Sequence, residues 1–182
     1  MKGLCIYVDG GKGHYVPAKA VEEELIKMEI ETDFQEFFHL LNIVWLGTIN
    51  KKVWRQMLKM PRVEKPFSKF SDAKSNGMKY AINFGKKYCT KTLVKYLKDN
   101  KVDFIFATHP YCSTVLGEML EALNYNIPVY YFATDVFSAP RACICDKLRK
   151  LFISTTEGRD CVIKMGQEAS SVEVVPFPLQ QN

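Results

Sequence analysis

The fold of this chain is decided by one stretch of sequence, Tyr7-Val8-Asp9-Gly10-Gly11-Lys12-Gly13-His14-Tyr15-Val16-Pro17-Ala18. The apolar run from Leu4 to Val8 leads into this stretch and predicts a buried β-strand. Pro17 suits the first turn of a helix, and apolar residues at helical spacing follow it, so a helix is predicted over 17–28. A strand, a glycine-rich loop and a helix in this order indicate the first half of a βαβ unit.

The glycine-rich loop has the features of a ligand-binding turn. Its glycines let a ligand approach the backbone without obstruction by a Cβ atom, and the helix N-terminus behind it suits a phosphate or a developing oxyanion. His14 is the residue of this loop that titrates near neutral pH, which makes it a candidate general base. The stretch differs from the dinucleotide fingerprint, because Val16 stands where the third glycine is expected, and it lacks the P-loop spacing. The alternative is a turn whose glycines serve geometry alone, with His14 on the surface.

Strands and helices alternate along the rest of the chain. The further predicted strands are 32–38, 104–108, 129–133, 150–153 and 172–175. The further predicted helices are 71–98, 113–123 and 157–165, and 40–60 is expected to be irregular and partly helical. This order predicts an α/β fold with a mainly parallel sheet, whose ligands lie beyond the carboxyl ends of the strands. The loops 9–14, 108–111 and 134–137 all follow such ends, so they are expected to converge.

The motif from Asp9 to Ala18 resembles the N-terminal loop of the monogalactosyldiacylglycerol synthase and processive diacylglycerol glucosyltransferase family. More distantly it is similar to the glycosyltransferase that makes lipid II. Three later stretches extend the resemblance in order along the chain, namely Phe104–Pro110, Val129–Asp135 and Val174–Leu179.

The resemblance implies the N-terminal half of a GT-B glycosyltransferase, a Rossmann-like three-layer domain. Residues 1–176 would form the acceptor-binding domain, and 177–182 would begin the linker to a donor-binding domain. The implied reaction transfers a hexose from a nucleotide sugar, of the UDP class, to a lipid acceptor such as diacylglycerol, with inversion at the anomeric carbon. No cofactor and no metal is implied, since the nucleotide sugar is a substrate. The donor-binding part would be a second domain or a separate subunit, and the isolated chain is expected to be inactive.

The resemblance also assigns site residues. His14 matches the catalytic base, and the expected acceptor-binding or phosphate-binding residues are Asp9, Gly11, Lys12, Gly13, His109 and Asp135. Either Asp9 or Asp135 could orient the imidazole; Asp9 could equally be a turn carboxylate, and His109 could simply shape its loop. The sequence departs from the plastid pattern at Lys12, where a glycine is usual. It also lacks a histidine and a tryptophan shortly after Asp135, which leaves an acceptor other than diacylglycerol open.

The charge distribution indicates an anionic partner. The chain has a net charge of +5, but residues 51–101 hold fifteen Lys and Arg against three acidic residues, a local net charge of +12. Large apolar residues lie within and before this segment, which is typical of peripheral membrane binding. The residues expected to bind the membrane are Trp45, Lys51, Lys52, Trp54, Arg55 and Lys59. The alternative is a core-packing helix with a solvated basic face.

Composition is that of a globular α/β domain, with 47% hydrophobic and 25% charged residues. Six scattered cysteines without a C-x-x-C pair favour reduced thiols, and no run is long enough for a transmembrane helix. We therefore expect a cytoplasmic protein that associates peripherally with membranes. Two other classes stay open: a non-catalytic module that binds anionic lipid or nucleic acid, although no nucleic-acid motif is evident, and a nucleotide-dependent oxidoreductase, which the missing third glycine argues against.

Overall fold

The sheet of this molecule is parallel throughout. A computed structural model describes residues 1–59, 76–137 and 139–180. Within these ranges, six strands pair in the order β2-β1-β3-β4-β5-β6. The strands are β1 (Lys2–Tyr7), β2 (Glu31–Glu36), β3 (Phe104–Ala107), β4 (Val129–Phe132), β5 (Lys150–Ile153) and β6 (Val172–Val174). The predicted α/β, Rossmann-like fold with a mainly parallel sheet is confirmed.

Helices connect successive strands. They are α1 (Lys12–Lys27), α2 (Phe37–Leu40), α3 (Val44–Leu58), α4 (Asn76–Phe84), α5 (Thr90–Asp99), α6 (Pro110–Glu121) and α7 (Thr156–Lys164). One turn of π-helix, Gly85–Cys89, joins α4 to α5, so that the helix continues without a break from Asn76 to Asp99.

The two faces of the sheet are buried by different helices. Alternate strand residues such as Leu4, Ile105 and Leu151 are fully buried in a core that also contains Leu93 of α5 and Leu116 of α6. The opposite face is smaller and aromatic. Its members are Cys5, Phe106 and Phe132, packed against Val21, Leu25 and Phe177. Period-two alternation with apolar residues on both faces is what a parallel sheet between two helical layers requires.

Helix α1 begins at Lys12, which is earlier than the predicted start at Pro17. Gly11 has φ 137° and ψ −178°, a conformation accessible essentially to glycine alone, and it turns the chain directly into the helix. Pro17 therefore lies inside α1. Because proline has no N–H, the Gly13 carbonyl lacks the donor that a regular helix would provide. The sequence prediction was wrong here, and the consequence is that Gly13 and His14 belong to the first helical turn rather than to a loop.

The segment expected to be irregular over 40–60 is largely helical within its described residues, because α3 occupies Val44–Leu58. The long helix predicted over 71–98 is observed from Asn76 to Asp99, and its predicted residues 71–75 lie outside the described residues. The six cysteines are free, and five of them are buried, as expected for reduced thiols. Among the helices that the structure describes, none is long and apolar enough to span a bilayer.

The strand order places a crevice between β1 and β3. From β1 the chain moves outward to β2 on one side, and it then returns to pair β3 with the other side of β1. Connections that leave in opposite directions from two neighbouring strands open a crevice at their carboxyl ends, which is where open α/β sheets bind ligands. The first turn of α1 follows β1, and the first turn of α6 follows β3, so both line this crevice.

Candidate active site

The three polar segments predicted to converge do so at the carboxyl edge of the sheet. His14 follows β1, Thr108 and His109 follow β3, and Thr134 follows β4. The register between Ile6 of β1 and Ala107 of β3 brings the ends of these strands side by side. Side chains separated by about a hundred residues in sequence therefore meet at one position.

Thr108 binds both the side chain and the backbone of His14. The imidazole Nδ1 lies 2.7 Å from the backbone carbonyl oxygen of Thr108, and the Thr108 hydroxyl donates to the His14 carbonyl oxygen at 2.7 Å. Thr108 itself is fully buried. A second and longer contact of 3.3 Å joins Nδ1 to the hydroxyl oxygen of Thr134. The ring is thus fixed by groups that are themselves immobilised at the ends of strands.

These contacts determine the tautomer of His14. A carbonyl oxygen only accepts hydrogen bonds, so Nδ1 must carry the proton that it shares with Thr108. In the neutral ring the other nitrogen, Nε2, then has a free lone pair. This is the protonation pattern of a general base, and it is the one that an orienting partner on Nδ1 provides in other histidine-dependent enzymes.

Burial keeps this imidazole neutral. Desolvation lowers the pKa of His14, while the hydrogen bond to the Thr108 carbonyl and the charge of Asp135 act in the opposite direction with smaller effect. A histidine with a pKa below its ordinary value of 6.5 is unprotonated at neutral pH, and it is therefore ready to accept a proton.

His109 lies directly against His14. The two rings meet edge to face with centroids 4.5 Å apart, and His109 also stacks on Tyr111 at 5.3 Å. His109 is the N-cap of α6, where its Nδ1 accepts a hydrogen bond from the Tyr111 backbone N–H at 3.2 Å. Desolvation, and secondly the nearby His14, lower the pKa of His109 well below its usual value. With Nδ1 accepting, the neutral ring carries its proton on Nε2, so His109 is a hydrogen-bond donor beside a proton acceptor.

The two carboxylates considered as orienting groups have different positions. Asp135 interacts with His14 electrostatically. The Asp9 carboxylate pairs with Lys51 at 2.5 Å, and its backbone N–H points to Glu36 at 3.5 Å. The orienting contact on His14 Nδ1 comes instead from the Thr108 carbonyl. Asp9 thereby ties the glycine-rich turn to α3.

The glycines of the turn surround a small cavity next to His14. This cavity has a volume of about 250 Å³ and is lined by Gly10, Gly11 and Gly13, by both histidines, and by residues of α3 and α6. A Cβ atom at Gly13 would meet no atom within 4 Å, so the conformational requirement for glycine falls on Gly11 and not on Gly13. Lys12 is exposed in the first turn of α1. The N-terminal N–H groups of this turn are available to an anion, because the N-cap is a glycine and has no side chain to bind them.

Helix α3 separates the predicted membrane-binding residues into two sets. Trp54 lines the cavity beside the glycines, where its ring would lie 3.9 Å from a Cβ at Gly10, and Lys51 is paired with Asp9. Trp45, Lys52 and Arg55 of the helix and Lys59 directly after it are also exposed, and we call these four residues the outer face of α3. Intervals of seven and three residues place the first three on one side of the helix.

Sequence reasoning identified the two histidines but missed several of their neighbours. Thr108 and Thr134 belong to the motifs Phe104–Pro110 and Val129–Asp135 and are not predicted there as site residues, yet they hold His14. Their common position could have identified them: each is a threonine at the end of a strand, directly before a polar residue. Asn50 and Tyr111, which also line the cavity, gave no signal of this kind.

Comparisons with known proteins agree with this fold. Over its whole length the chain is similar to MurG of Acinetobacter baumannii, with 16% sequence identity and a TM-score of 0.56, and it covers 47% of that chain. The lipopolysaccharide outer core galactosyltransferase WaaB in its apo form is also similar, with 11% identity and a TM-score of 0.49 over 97% of this chain and 45% of that one. This chain thus spans about half the length of these solved structures. No curated protein matches the sequence.

The sequence itself matches a family model. The model describes monogalactosyldiacylglycerol synthase, and it matches residues 14–179, from the candidate base to the segment that packs on the sheet after β6. This match includes both histidines and both strand-ending threonines, and it confirms the resemblance seen in the motifs. The chain belongs to the monogalactosyldiacylglycerol synthase family.

Proposed function

We propose that this chain is the acceptor-binding part of a membrane-associated, inverting glycosyltransferase. In this proposal a hexose passes from a nucleotide sugar of the UDP class to the hydroxyl group of a lipid acceptor such as diacylglycerol. The observation that carries the proposal is the state of His14: its Nδ1 is committed to the Thr108 carbonyl, and its lowered pKa leaves Nε2 as a neutral base in a cavity. Membership of the family supports the same reaction class.

The geometry suits one proton transfer. The acceptor hydroxyl would donate to His14 Nε2, and its oxygen would attack the anomeric carbon from the side opposite the departing nucleotide diphosphate, which inverts the configuration. As the bond to the sugar forms, the hydroxyl proton moves to Nε2 and the imidazole becomes positively charged. The Asp135 carboxylate, whose charge favours protonated His14, would stabilise that state.

The remaining residues would bind oxygen atoms of the substrates. His109 offers an Nε2–H donor beside His14, which suits an acceptor oxygen or a phosphate. Gly11, Lys12 and Gly13 provide backbone N–H groups and a cation at the N-terminus of α1, which suit an anionic group. Asp9, through its pair with Lys51, would position α3 beside this turn. No cofactor and no metal takes part in the reaction proposed.

Membrane association is the second part of the proposal. The outer face of α3 combines an indole that is 59% exposed at Trp45 with the cations of Lys52, Arg55 and Lys59. Interfacial aromatic rings and cations favour the surface of an anionic bilayer. A lipid acceptor in a bilayer at this face would be close to the cavity that contains His14, because α3 contributes residues both to the face and to the lining of that cavity. The protein would then act at the cytoplasmic membrane surface.

The experiment is transfer of labelled hexose from a UDP-sugar to diacylglycerol in vesicles. It is run with this chain alone and together with a donor-binding domain, and with the variants His14→Ala and His39→Ala. The proposal expects no transfer by this chain alone. With the donor-binding domain it expects transfer that His14→Ala lowers by about 10²–10⁴-fold and His39→Ala preserves, because exposed His39 does not line the cavity that contains His14.

One alternative has its own support and its own outcome. The local net charge of +12 over residues 51–101 also fits a non-catalytic module that binds anionic lipid or nucleic acid. Salt-dependent binding to such a partner, with no sugar transfer under either condition, would favour that module and contradict the enzyme.

A further inference from the structure

A large apolar cavity lies between α3 and α4. Its volume is about 460 Å³, which is within the range of about 300–1,000 Å³ common for small-molecule sites. Leu46 and Ile49 of α3, Ala81 and Phe84 of α4 and Phe37 of α2 are among the described residues that line it. The wall is almost entirely hydrocarbon, so a molecule that fills it gains by removing apolar surface from water.

This cavity adjoins the one that contains His14. Asn50, Val53 and Tyr111 line both. Tyr111 stacks on His109, and His109 contacts His14, so the lining changes stepwise from hydrocarbon through an amide and a phenol to two imidazoles. A single elongated molecule could therefore have its polar end at His14 and its apolar part between α3 and α4.

The π-helical turn after α4 contributes residues to one wall of the cavity. The π-helical turn begins at Gly85, and both Gly85 and Cys89 line the cavity. A Cβ at Gly85 would lie 2.9 Å from the Val115 side chain, so the absence of a side chain lets this helix pack closely on α6. The Thr90 hydroxyl donates to the Gly85 carbonyl at 3.1 Å and to the Lys86 carbonyl at 2.7 Å, which satisfies groups that the wider turn releases. Such π-turns recur at functional sites.

We propose that the cavity between α3 and α4 holds an acyl chain of the acceptor while the hydroxyl of the same molecule lies at His14. This deepens the proposed function and rests on it for the identity of the molecule. The shared lining of the two cavities selects this occupant: a second protein would contact an extensive surface, whereas an apolar cavity that adjoins a proton acceptor fits an alkyl chain attached to an alcohol. Ile49 and Val53 are 48% and 42% exposed at the rim of the cavity, so an acyl chain could enter between them and the solvent.

The two tryptophans of the sequence provide a direct test. Trp45, which is 59% exposed on the outer face of α3, also borders the apolar cavity with part of its surface, and Trp54 lines the cavity with His14. Diacylglycerol carrying bromine atoms in mid-chain, delivered from cyclodextrin without a bilayer, quenches an indole that it contacts. The variant Trp54→Phe reports on Trp45 alone, and Trp45→Phe reports on Trp54 alone. We expect saturable quenching that is stronger at Trp45. Affinity should rise about fourfold for each added CH₂ group until the cavity is full.

Two variants locate the binding. Ile49→Asp places a carboxylate at the rim and should abolish the quenching of Trp45, while Gln56→Asp, an exposed position of α3 that does not line the cavity, should preserve it. Ala81→Phe, which fills the cavity with hydrocarbon, provides a second test should Ile49→Asp fail to fold by circular dichroism.

Quenching that is absent, or that persists in both cavity variants, would overturn the inference. Self-association that Ile49→Asp abolishes, in place of quenching, would assign the surface to a second copy of the chain and would overturn it as well. No sugar donor is present in this experiment, so its outcome is separate from that of the transfer assay: transfer without quenching contradicts the acyl site alone, and quenching without transfer contradicts the glycosyltransferase alone.

Discussion

His14 combines three properties that only together make a base: a fixed ring, a defined tautomer and a neutral charge state. The Thr108 carbonyl provides the first two, and desolvation provides the third. The sequence predicted the residue from its position at the mouth of a glycine-rich turn. It did not predict the orienting group, because a backbone carbonyl carries no signature in the sequence and the contact depends on the register of β1 and β3.

In the active glycosyltransferase, His14→Ala should lower kcat by about 10²–10⁴-fold, the usual contribution of a general base. The KM for the acceptor should change little, since the interaction removed develops in the transition state. Steady-state kinetics with varied acceptor measure both constants. Near-full kcat in this variant, combined with loss in His109→Ala or Asp135→Ala, would show that the base is a different residue.

The two glycines at the start of α1 should respond differently to alanine. At Gly11, φ 137° with ψ −178° excludes other residues, so Gly11→Ala should destabilise the fold by about 1–3 kcal/mol. Gly13 is helical and has open space around it, so Gly13→Ala should leave stability unchanged or raise it by up to about 1 kcal/mol. The new methyl group at Gly13 would still intrude into the cavity beside His14 and weaken acceptor binding.

Urea unfolding of the two variants, with acceptor binding measured in parallel, checks this pair. A destabilised Gly13→Ala protein would show that this glycine, like Gly11, is needed for backbone geometry.

At the scale of elements, α3 has two roles on two sides. One side carries Lys51 and Trp54 toward the glycine-rich turn, and the outer face carries Trp45 and three cations. The sequence predicted the amphipathic character of this region but not a continuous helix, because Gly47 and Asn50 lower helix propensity and no N-cap signal precedes Val44. In the structure, packing of Phe38 against Gly47, where a Cβ would lie 3.0 Å away, explains why a glycine is placed there.

The triple variant Lys52→Glu, Arg55→Glu and Lys59→Glu should abolish binding to anionic vesicles while the fold is retained, because these residues are exposed. Binding of the unmodified chain should weaken as salt rises, since exposed charges are screened over about 8 Å at physiological ionic strength. Vesicle sedimentation over a salt series measures both effects.

A matched control has the same change in charge at another place: Lys91→Glu, Lys95→Glu and Lys101→Glu, which are exposed on and after α5. Equal loss of binding in the two triple variants would mean that overall charge, and not the outer face of α3, drives association. Lys51 is left unchanged in both, since its replacement would also break the pair with Asp9.

At the scale of the whole molecule, the sequence predicted the alternation of strands and helices and the convergence of three loops. Strand order was beyond it, because apolar runs in buried parallel strands specify burial and not neighbours. The order with β1 between β2 and β3 makes the crevice, and it places the first turns of α1 and α6 on its two sides. Two histidines that the sequence separates by more than ninety residues therefore share one desolvated environment.

That shared environment predicts how the stability of the whole fold depends on pH. The pKa values of His14 and His109 are both lowered by burial. The charge of Asp135 opposes this for His14, and protonation of His14 would lower the pKa of His109 further. In the unfolded chain the histidines have the ordinary pKa of 6.5, so near and below pH 6.5 the unfolded chain binds more protons than the folded one. The free energy of unfolding should thus be highest above pH 6.5 and should fall as the pH decreases below it, by at most about 1.4 kcal/mol per pH unit for each histidine.

Urea unfolding from about pH 5 to about pH 8 measures this slope. His109→Asn should reduce it while keeping a side chain that caps α6, because asparagine is a favourable N-cap residue and does not titrate. His39→Asn removes an exposed histidine that does not line the cavity with His14 and serves as the control. A slope that His39→Asn reduces and His109→Asn leaves intact would mean that the buried pair does not govern the acid sensitivity of the fold. The neutral state assigned to His14 would then lose its thermodynamic support.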